Sequence, residues 1–121
     1  MITFSVFGTA KPSASDEAAW KEIVKREFGK THLPDITERS LFSIGIHFVF
    51  DKSHFIQPGG VKGPDLDNLA KPILDAIFET LRNSGEAIDD ERVVRLYLEK
   101  SLAELGEPER AEVSVEVVGE H

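Results

Sequence analysis

Apolar and polar residues alternate along four stretches of the chain, whereas in two other stretches the apolar residues recur at intervals of three and four. Alternation with a period of two predicts β-strands, and the longer spacing predicts amphipathic α-helices. The strand-like stretches are residues 1–8, 41–50, 93–102 and 111–118. One helix is predicted over residues 16–28, and a second starts near residue 67 and stops at Asn83-Ser84-Gly85. The order βαβαββ indicates an α+β fold, with one four-stranded mixed sheet covered by two helices.

A chain of 121 residues is long enough for one domain with a hydrophobic core, so we expect residues 1–121 to form a single domain. Trp20 lies on the apolar side of the first helix, and we interpret it as a core residue rather than a platform for base stacking. The last two strands follow each other across a short acidic connection. We therefore expect them to pair as a hairpin.

The composition limits the classes of function. The chain contains no cysteine, which excludes a disulfide framework and thiol chemistry and agrees with a cytoplasmic location. No apolar run approaches the length of a membrane span, and the start lacks a signal-peptide pattern, so we expect no membrane association. The formal net charge is −8, and residues 84–121 hold eleven acidic against four basic residues, whereas residues 1–39 hold six of each. A local basic surface for nucleic acid is therefore expected only from the N-terminal half.

Acidic residues are concentrated where the second helix begins. Pro64 favours an extended conformation in the residue before it, so we expect the chain to reach Asp65 extended, with Asp65 and Asp67 on one side and Leu66 on the other. One aspartate at such a position is usually a helix cap, because its carboxylate accepts hydrogen bonds from the free N–H groups of the first turn. Two aspartates followed by Lys71 weaken that interpretation, since one cap suffices.

A second acidic pair, Asp89-Asp90, lies in the loop between the second helix and the third strand. The helix separates the two acidic blocks along the chain, and only a tertiary structure decides whether Asp90 meets Asp65 and Asp67. Carboxylates that share one ion would suit Mg²⁺, which prefers oxygen ligands and retained waters. Three carboxylates within metal-sharing distance would support cleavage chemistry, whereas scattered carboxylates would count against it.

These blocks resemble the RusA-type Holliday junction resolvases. The resemblance is carried by Asp65-Leu66-Asp67-Asn68-Leu69 with Lys71, by Leu74-Asp75-Ala76 in the helix, and by Asp89-Asp90 before a valine-rich strand. It implies a homodimeric, Mg²⁺- or Mn²⁺-dependent endonuclease that cuts opposing strands of four-way junction DNA in recombination and repair. It also implies that Asp65, Asp67 and Asp90 are the catalytic metal ligands and that Lys71 is a catalytic or DNA-contacting residue. Asp75 and Asp89 would have supporting roles at most.

Other interpretations stay open at the level of the residues. In one, the chain is a non-catalytic relative whose acidic surface binds a metal ion or a protein partner, and the net charge favours this. In another, the same metal site hydrolyses a small phosphoester, although the chain lacks a glycine-rich nucleotide-binding motif. Lys71 is alternatively an exposed ion-pair partner of Asp67 or Asp75, a contact that contributes little to stability.

Two further segments are candidates for contact with DNA. The long loop over residues 51–63 contains Gly59, Gly60 and Lys62, and loops of this length are often functional. The first helix carries several basic residues, but acidic residues alternate with them, so a solvated charged face is the favoured interpretation. His47 is interpreted as an outward-facing strand residue rather than a metal ligand.

Overall fold

The computed structural model describes residues 1–13, 16–33, 35–56, 65–85 and 87–121. Its elements are β1 (Ile2–Phe7), α1 (Ala18–Gly29), β2 (Ser40–Phe50), α2 (Leu66–Asn83), a single 3₁₀ turn (Asp90–Arg92), β3 (Val93–Leu102) and β4 (Arg110–Glu120). The predicted α+β fold is confirmed, with the order βαβαββ and a four-stranded mixed sheet. The expectations about Pro64, Lys62, Gly59 and Gly60 fall on residues that lie outside the described ranges.

The strands lie in the order β1-β4-β2-β3. β4 is antiparallel to both of its neighbours, and β3 is parallel to β2. The predicted hairpin between β3 and β4 is wrong, since the two strands lie on opposite sides of β2. A helical crossover places its two strands parallel, so α2 sets β3 beside β2. β4 occupies an inner position because Ala111, Val113 and Val115 are almost fully buried, whereas β3 leaves Leu96 and Leu102 about half exposed.

Both helices pack on one face of the sheet. The inward side of β2 is apolar throughout, and its members are 3% exposed or less: Phe42, Ile44, Ile46, Phe48 and Phe50. Phe42 meets Phe78 of α2 edge to face, with ring centroids 5.5 Å apart. Trp20 of α1 is 3% exposed, which confirms it as a core residue. Among the described residues, no helix covers the opposite face of the sheet.

The crossover fixes which ends of the elements meet. Because β3 begins beside the start of β2, α2 must run back along the sheet from the end of β2 to the start of β3. The start of α2 therefore lies at the end of the sheet where β2 finishes. Its last turn lies at the opposite end, where β2 begins.

Candidate active site

The start of α2 exposes the first acidic block. Asp65 is the residue before the helix, in an extended conformation with φ −90° and ψ 170°, and its carbonyl accepts the N–H of Leu69 at 3.1 Å. Its carboxylate makes no capping hydrogen bond, and instead Oδ1 accepts Nδ2 of Asn68 at 2.8 Å. Asp67 lies in the first turn and is exposed. Capping therefore does not account for the two carboxylates.

Pro72 joins the start of α2 to the loop after β1. Proline has no N–H, so the carbonyl of Asn68, four residues earlier, loses its helical partner. That carbonyl accepts the backbone N–H of Ser13 at 2.8 Å. The loop that carries Lys11 is thereby held against the first turns of α2, at the same end as Asp65. The hydrogen bond lost to proline is replaced by one that positions a basic loop beside an acidic helix start.

Lys71 lies one turn beyond Asp67, in the spacing that places two side chains on one face of a helix. It is exposed, as is Asp67. Within the described ranges, no ion pair of 4 Å or less involves Lys71, Asp65 or Asp67. The alternative in which Lys71 forms an intrahelical ion pair with Asp67 or Asp75 is therefore wrong.

Asp90 lies beyond the other end of α2. The guanidinium of Arg82, in the last turn of the helix, contacts Oδ1 of Asp89 at 2.6 Å and the carbonyl of Ile88 at 3.3 Å. Asp90 follows in the 3₁₀ turn and is exposed. In the same turn, Arg92 donates to the carbonyl of His121 at 2.6 Å. Asp90 is thus held where β2 begins and β4 ends.

One chain does not bring the three predicted metal ligands together. α2 has 18 residues, a length of about 27 Å at 1.5 Å per residue, and it lies between the two acidic blocks. Asp65 and Asp67 are neighbours at one end, and Asp90 lies at the other. The two neighbours are exposed carboxylates of the kind that Mg²⁺ binds, so they fit part of a metal site. A third carboxylate from the same chain does not complete it.

A different group of metal-ligating residues lies near the start of α2. Among the described residues, Asp51, His54 and Glu109 are the one set of three whose ligand atoms lie within 4.8 Å of one another. Nδ1 of His54 is 2.9 Å from Oε2 of Glu109 and 3.5 Å from Oδ1 of Asp51. Sequence reasoning missed this cluster because it depends on β4 lying beside β2. A true β3–β4 hairpin would have placed Glu109 elsewhere.

The contacts of the Asp51–His54–Glu109 cluster indicate a structural role. The Glu109 carboxylate accepts the hydroxyl of Thr9 and the backbone N–H of Asp51, and its carbonyl accepts the N–H of Gly8. Since a carboxylate only accepts, Nδ1 of His54 carries the proton in its contact with Glu109. A metal ion at Nδ1 would have to displace that proton. The cluster therefore ties together the ends of β1 and β2 and the start of β4.

The three basic residues of α1, and Lys30 that follows it, are all paired with acidic residues. Lys21 and Lys25 contact the two carboxylate oxygens of Glu79 on α2, at 3.1 and 2.7 Å, and Lys30 contacts Glu27 at 2.9 Å. The hydrogen bond from Lys25 is the main reason that the pKa of Glu79 lies below its ordinary value. The charged face is ion-paired, but the side chains of Lys21 and Lys25 are only 19% and 26% exposed, so they hold α1 against α2 instead of lying on a freely solvated face.

The face of the sheet without helices contains an open cavity of about 690 Å³, lined by residues such as Thr3, Glu99 and Glu112. His47 lies in it and its Nε2 is 2.7 Å from Oγ of Ser101 on β3, as expected for an outward strand residue. None of Asp65, Asp67 and Asp90 lines this cavity. It is a feature separate from the acidic site.

Over the described ranges, no helix is long and apolar enough to cross a membrane.

Comparison with known proteins agrees with the acidic motif around Asp65 and Asp67. A search of curated proteins gave no significant match. The family model for Endodeoxyribonuclease RusA matches residues 8–116, which include Asp65, Asp67, Lys71 and Asp90. The match extends well beyond the motif and covers most of the 121 residues. The chain therefore belongs to the RusA family of endodeoxyribonucleases.

Proposed function

We propose that the protein is a metal-dependent endodeoxyribonuclease that resolves Holliday junctions by paired phosphodiester cleavage during DNA recombination and repair. It acts in the cytoplasm as a homodimer, and residues 1–121 form one nuclease domain. The observation that carries this proposal is the family match over residues 8–116. The exposed carboxylates of Asp65 and Asp67, which no cation of the described ranges neutralises, support it.

In this proposal, Asp65, Asp67 and Asp90 hold Mg²⁺ or Mn²⁺. The bound ion supplies Lewis-acid stabilisation of the charge that develops on the phosphate, and a water of lowered pKa. Asn68 fixes the carboxylate of Asp65 through the 2.8 Å hydrogen bond between their side chains. Lys71, exposed one turn from Asp67, directs its ammonium group towards the scissile phosphate.

The net charge of −8 bears on how DNA is bound. Carboxylates at the site repel phosphates until a cation neutralises them, so junction binding should depend on the divalent ion. The loop that carries Lys11 adds positive charge at the same end of the sheet, through the bond between Ser13 and Asn68. The salt dependence of DNA binding grows with the number of phosphates that basic residues neutralise, so binding through so few cations is expected to be weak and to fall only shallowly with monovalent salt.

The direct test is cleavage of an end-labelled four-way junction beside a linear duplex of the same sequence, with Mg²⁺, with Mn²⁺ and with chelator. Paired cuts that are confined to the junction and disappear with chelator are the expected result. Folded wild-type protein that cuts neither substrate with either ion would contradict the proposal. Equal cutting of junction and duplex would contradict junction specificity.

The second candidate is a non-catalytic module that binds a metal ion or a protein through its acidic surface. The observation in its favour is that one chain holds Asp90 at the opposite end of α2 from Asp65 and Asp67. This candidate expects Mn²⁺ binding without cleavage of any DNA. The assay above, combined with a Mn²⁺ titration, separates the two.

A further inference from the structure

Two hydrogen bonds of one residue connect the loop after β1 to a predicted metal ligand. The side chain of Asn68 donates through Nδ2 to Oδ1 of Asp65 at 2.8 Å, and its backbone carbonyl accepts the N–H of Ser13, also at 2.8 Å. Among the described residues, no other side chain bonds to Asp65, and no other backbone hydrogen bond joins this loop to α2. Asn68 therefore contacts the carboxylate on one side and the loop on the other.

The loop over residues 8–13 is anchored at both ends. At its start, the N–H of Gly8 donates to the carbonyl of Glu109 at 3.0 Å. In its middle, Lys11 lies between two buried residues. The far end is placed by the bond to the carbonyl of Asn68. The position of this end relative to the start of α2 therefore depends on that one bond.

Pro72 leaves the carbonyl of Asn68 available for this contact. In a regular helix that carbonyl accepts the N–H of the residue four positions later, and proline has no N–H to give. Pro72 lies inside α2 and is buried. An alanine in its place would supply an N–H that is already in position within the helix, and this N–H would compete with Ser13 for the carbonyl.

We propose that Pro72 is a positioning residue that couples the loop over residues 8–13 to the metal site. It acts through Asn68. While Ser13 holds the backbone of Asn68, the side chain of Asn68 stays on Asp65 and orients the carboxylate before an ion binds. The inference rests on the proposed function for the identity of Asp65 as a metal ligand, and it adds a regulation of that site by the loop.

Coupling between an ion and a loop is reciprocal. If the bond between Ser13 and Asn68 strengthens ion binding, then the bound ion strengthens this bond by the same factor. Lys11 is the one basic residue of the loop. Ion binding therefore also fixes the position of Lys11, which lowers the cost of ordering this lysine when it contacts a phosphate.

Mn²⁺ affinity in the absence of DNA tests the coupling. Ser13→Pro removes the N–H that the carbonyl accepts, whereas Ser13→Ala keeps this N–H and is the matched control. A Mn²⁺ titration followed by electron paramagnetic resonance should give a dissociation constant about 10-fold higher for Ser13→Pro and an unchanged one for Ser13→Ala, since residues that orient metal ligands have effects of this size. Pro72→Ala should weaken Mn²⁺ binding to the same degree, because the new N–H takes the carbonyl from Ser13.

The double variant separates one shared bond from two independent defects. Ser13→Pro combined with Pro72→Ala should bind Mn²⁺ about as weakly as either single variant, because both substitutions break the same bond. Effects that multiply to about 100-fold would show that the two residues act separately, and would overturn the coupling. If Ser13→Pro does not fold, Pro72→Ala and the exchange measurement described next decide the question.

Hydrogen exchange of the Ser13 amide, followed by nuclear magnetic resonance, gives the reciprocal readout. Mg²⁺ should slow the exchange of this amide about 10-fold in the wild-type protein and should leave it unchanged in Pro72→Ala. The amide of Gly8, at the other end of the loop, bonds to Glu109 and serves as the internal control. Its exchange should not respond to Mg²⁺.

The outcomes distinguish this inference from the proposed function. If wild-type protein cuts junctions, but the variants keep its Mn²⁺ affinity and Mg²⁺ leaves the exchange of Ser13 unchanged, the coupling is overturned and the nuclease function stands. If wild-type protein cuts no DNA while Mg²⁺ protects the Ser13 amide, the coupling stands and the nuclease function fails. A folded wild-type protein that binds neither ion overturns both.

Discussion

Two groups of carboxylates lie at the same end of the sheet and differ in what surrounds them. At the start of α2, Asp65 and Asp67 are exposed, and Asn68 is the one described side chain that bonds to either of them. In the Asp51–His54–Glu109 cluster, the Glu109 carboxylate accepts hydrogen bonds from Thr9, Asp51 and His54, and hydrogen bonds from Ser53 lower the pKa of Asp51. The comparison indicates that satisfied carboxylates hold the fold together, whereas unsatisfied ones are free to bind a ligand.

The largest expected effect is on catalysis at the unsatisfied group. Asp67→Asn should lower the cleavage rate at least about 100-fold, a loss near 2.7 kcal/mol of transition-state stabilisation, because the amide removes a charged metal ligand. Its free energy of unfolding should change by less than about 0.5 kcal/mol, as for most exposed sites. Junction cleavage and urea denaturation measure the two quantities. Glu116→Gln, on an exposed residue of β4, is the matched control and should change neither. If the Asp67→Asn variant cleaved junctions at the wild-type rate, Asp67 would not be a catalytic metal ligand.

Lys71→Ala should lower the rate of cleavage by about 10- to 100-fold, since it removes a positive charge aimed at the reacting phosphate. Mn²⁺ affinity should stay unchanged, because lysine is not a ligand. Single-turnover cleavage and a Mn²⁺ titration separate the two effects. Lys30→Ala removes an exposed lysine just beyond the C-terminal end of α1, where it contacts Glu27, and serves as the control. An unchanged turnover would make Lys71 an ordinary solvated residue.

The satisfied group should respond in the opposite way. Glu109→Gln should lower the free energy of unfolding by about 1–3 kcal/mol, because it leaves hydrogen-bond donors of Thr9, Asp51 and His54 without a charged acceptor. Cleavage by the folded variant should persist. Urea denaturation and cleavage at low temperature test this, with Glu104→Gln in the same connection as the control. If the variant lost cleavage but kept its stability, the cluster would be part of the catalytic site and not a structural contact.

The smallest effect is expected between the helices. Glu79→Gln removes the contacts to Lys21 and Lys25 and should cost less than about 1 kcal/mol, as for other partly exposed ion pairs. Because the folded protein lowers the pKa of Glu79, the contribution is complete above the ordinary glutamate pKa and is lost as the pH falls through the lower folded value. The difference in unfolding free energy between wild type and variant should therefore shrink below about pH 4.3. A difference that is equal at pH 7 and pH 3 would contradict the role of the charge.

Much of the fold was predictable because local patterns determine it. The strand and helix periods predicted the four strands and the two α-helices near their observed bounds but not the 3₁₀ turn, and the apolar side of α1 identified Trp20 as a core residue. The position of Glu109 was not predictable, since it required the order of strands in the sheet. Neighbouring strands in sequence commonly pair, whereas here β4 lies between β1 and β2, where Ala111, Val113 and Val115 are buried.

The strands and helices, the family motif and the acidic start of α2 follow from the sequence, because each depends on residues that are close together along the chain. Three features follow only from the packing of the whole chain: β4 lies between β1 and β2, the carbonyl of Asn68 accepts the N–H of Ser13, and Asp90 lies at the opposite end of α2 from Asp65. Burial of β4 and the parallel crossover depend on contacts between residues that are far apart along the chain. The observed strand order is favoured over other orders by the packing of the whole sheet, and a local sequence pattern does not carry that information.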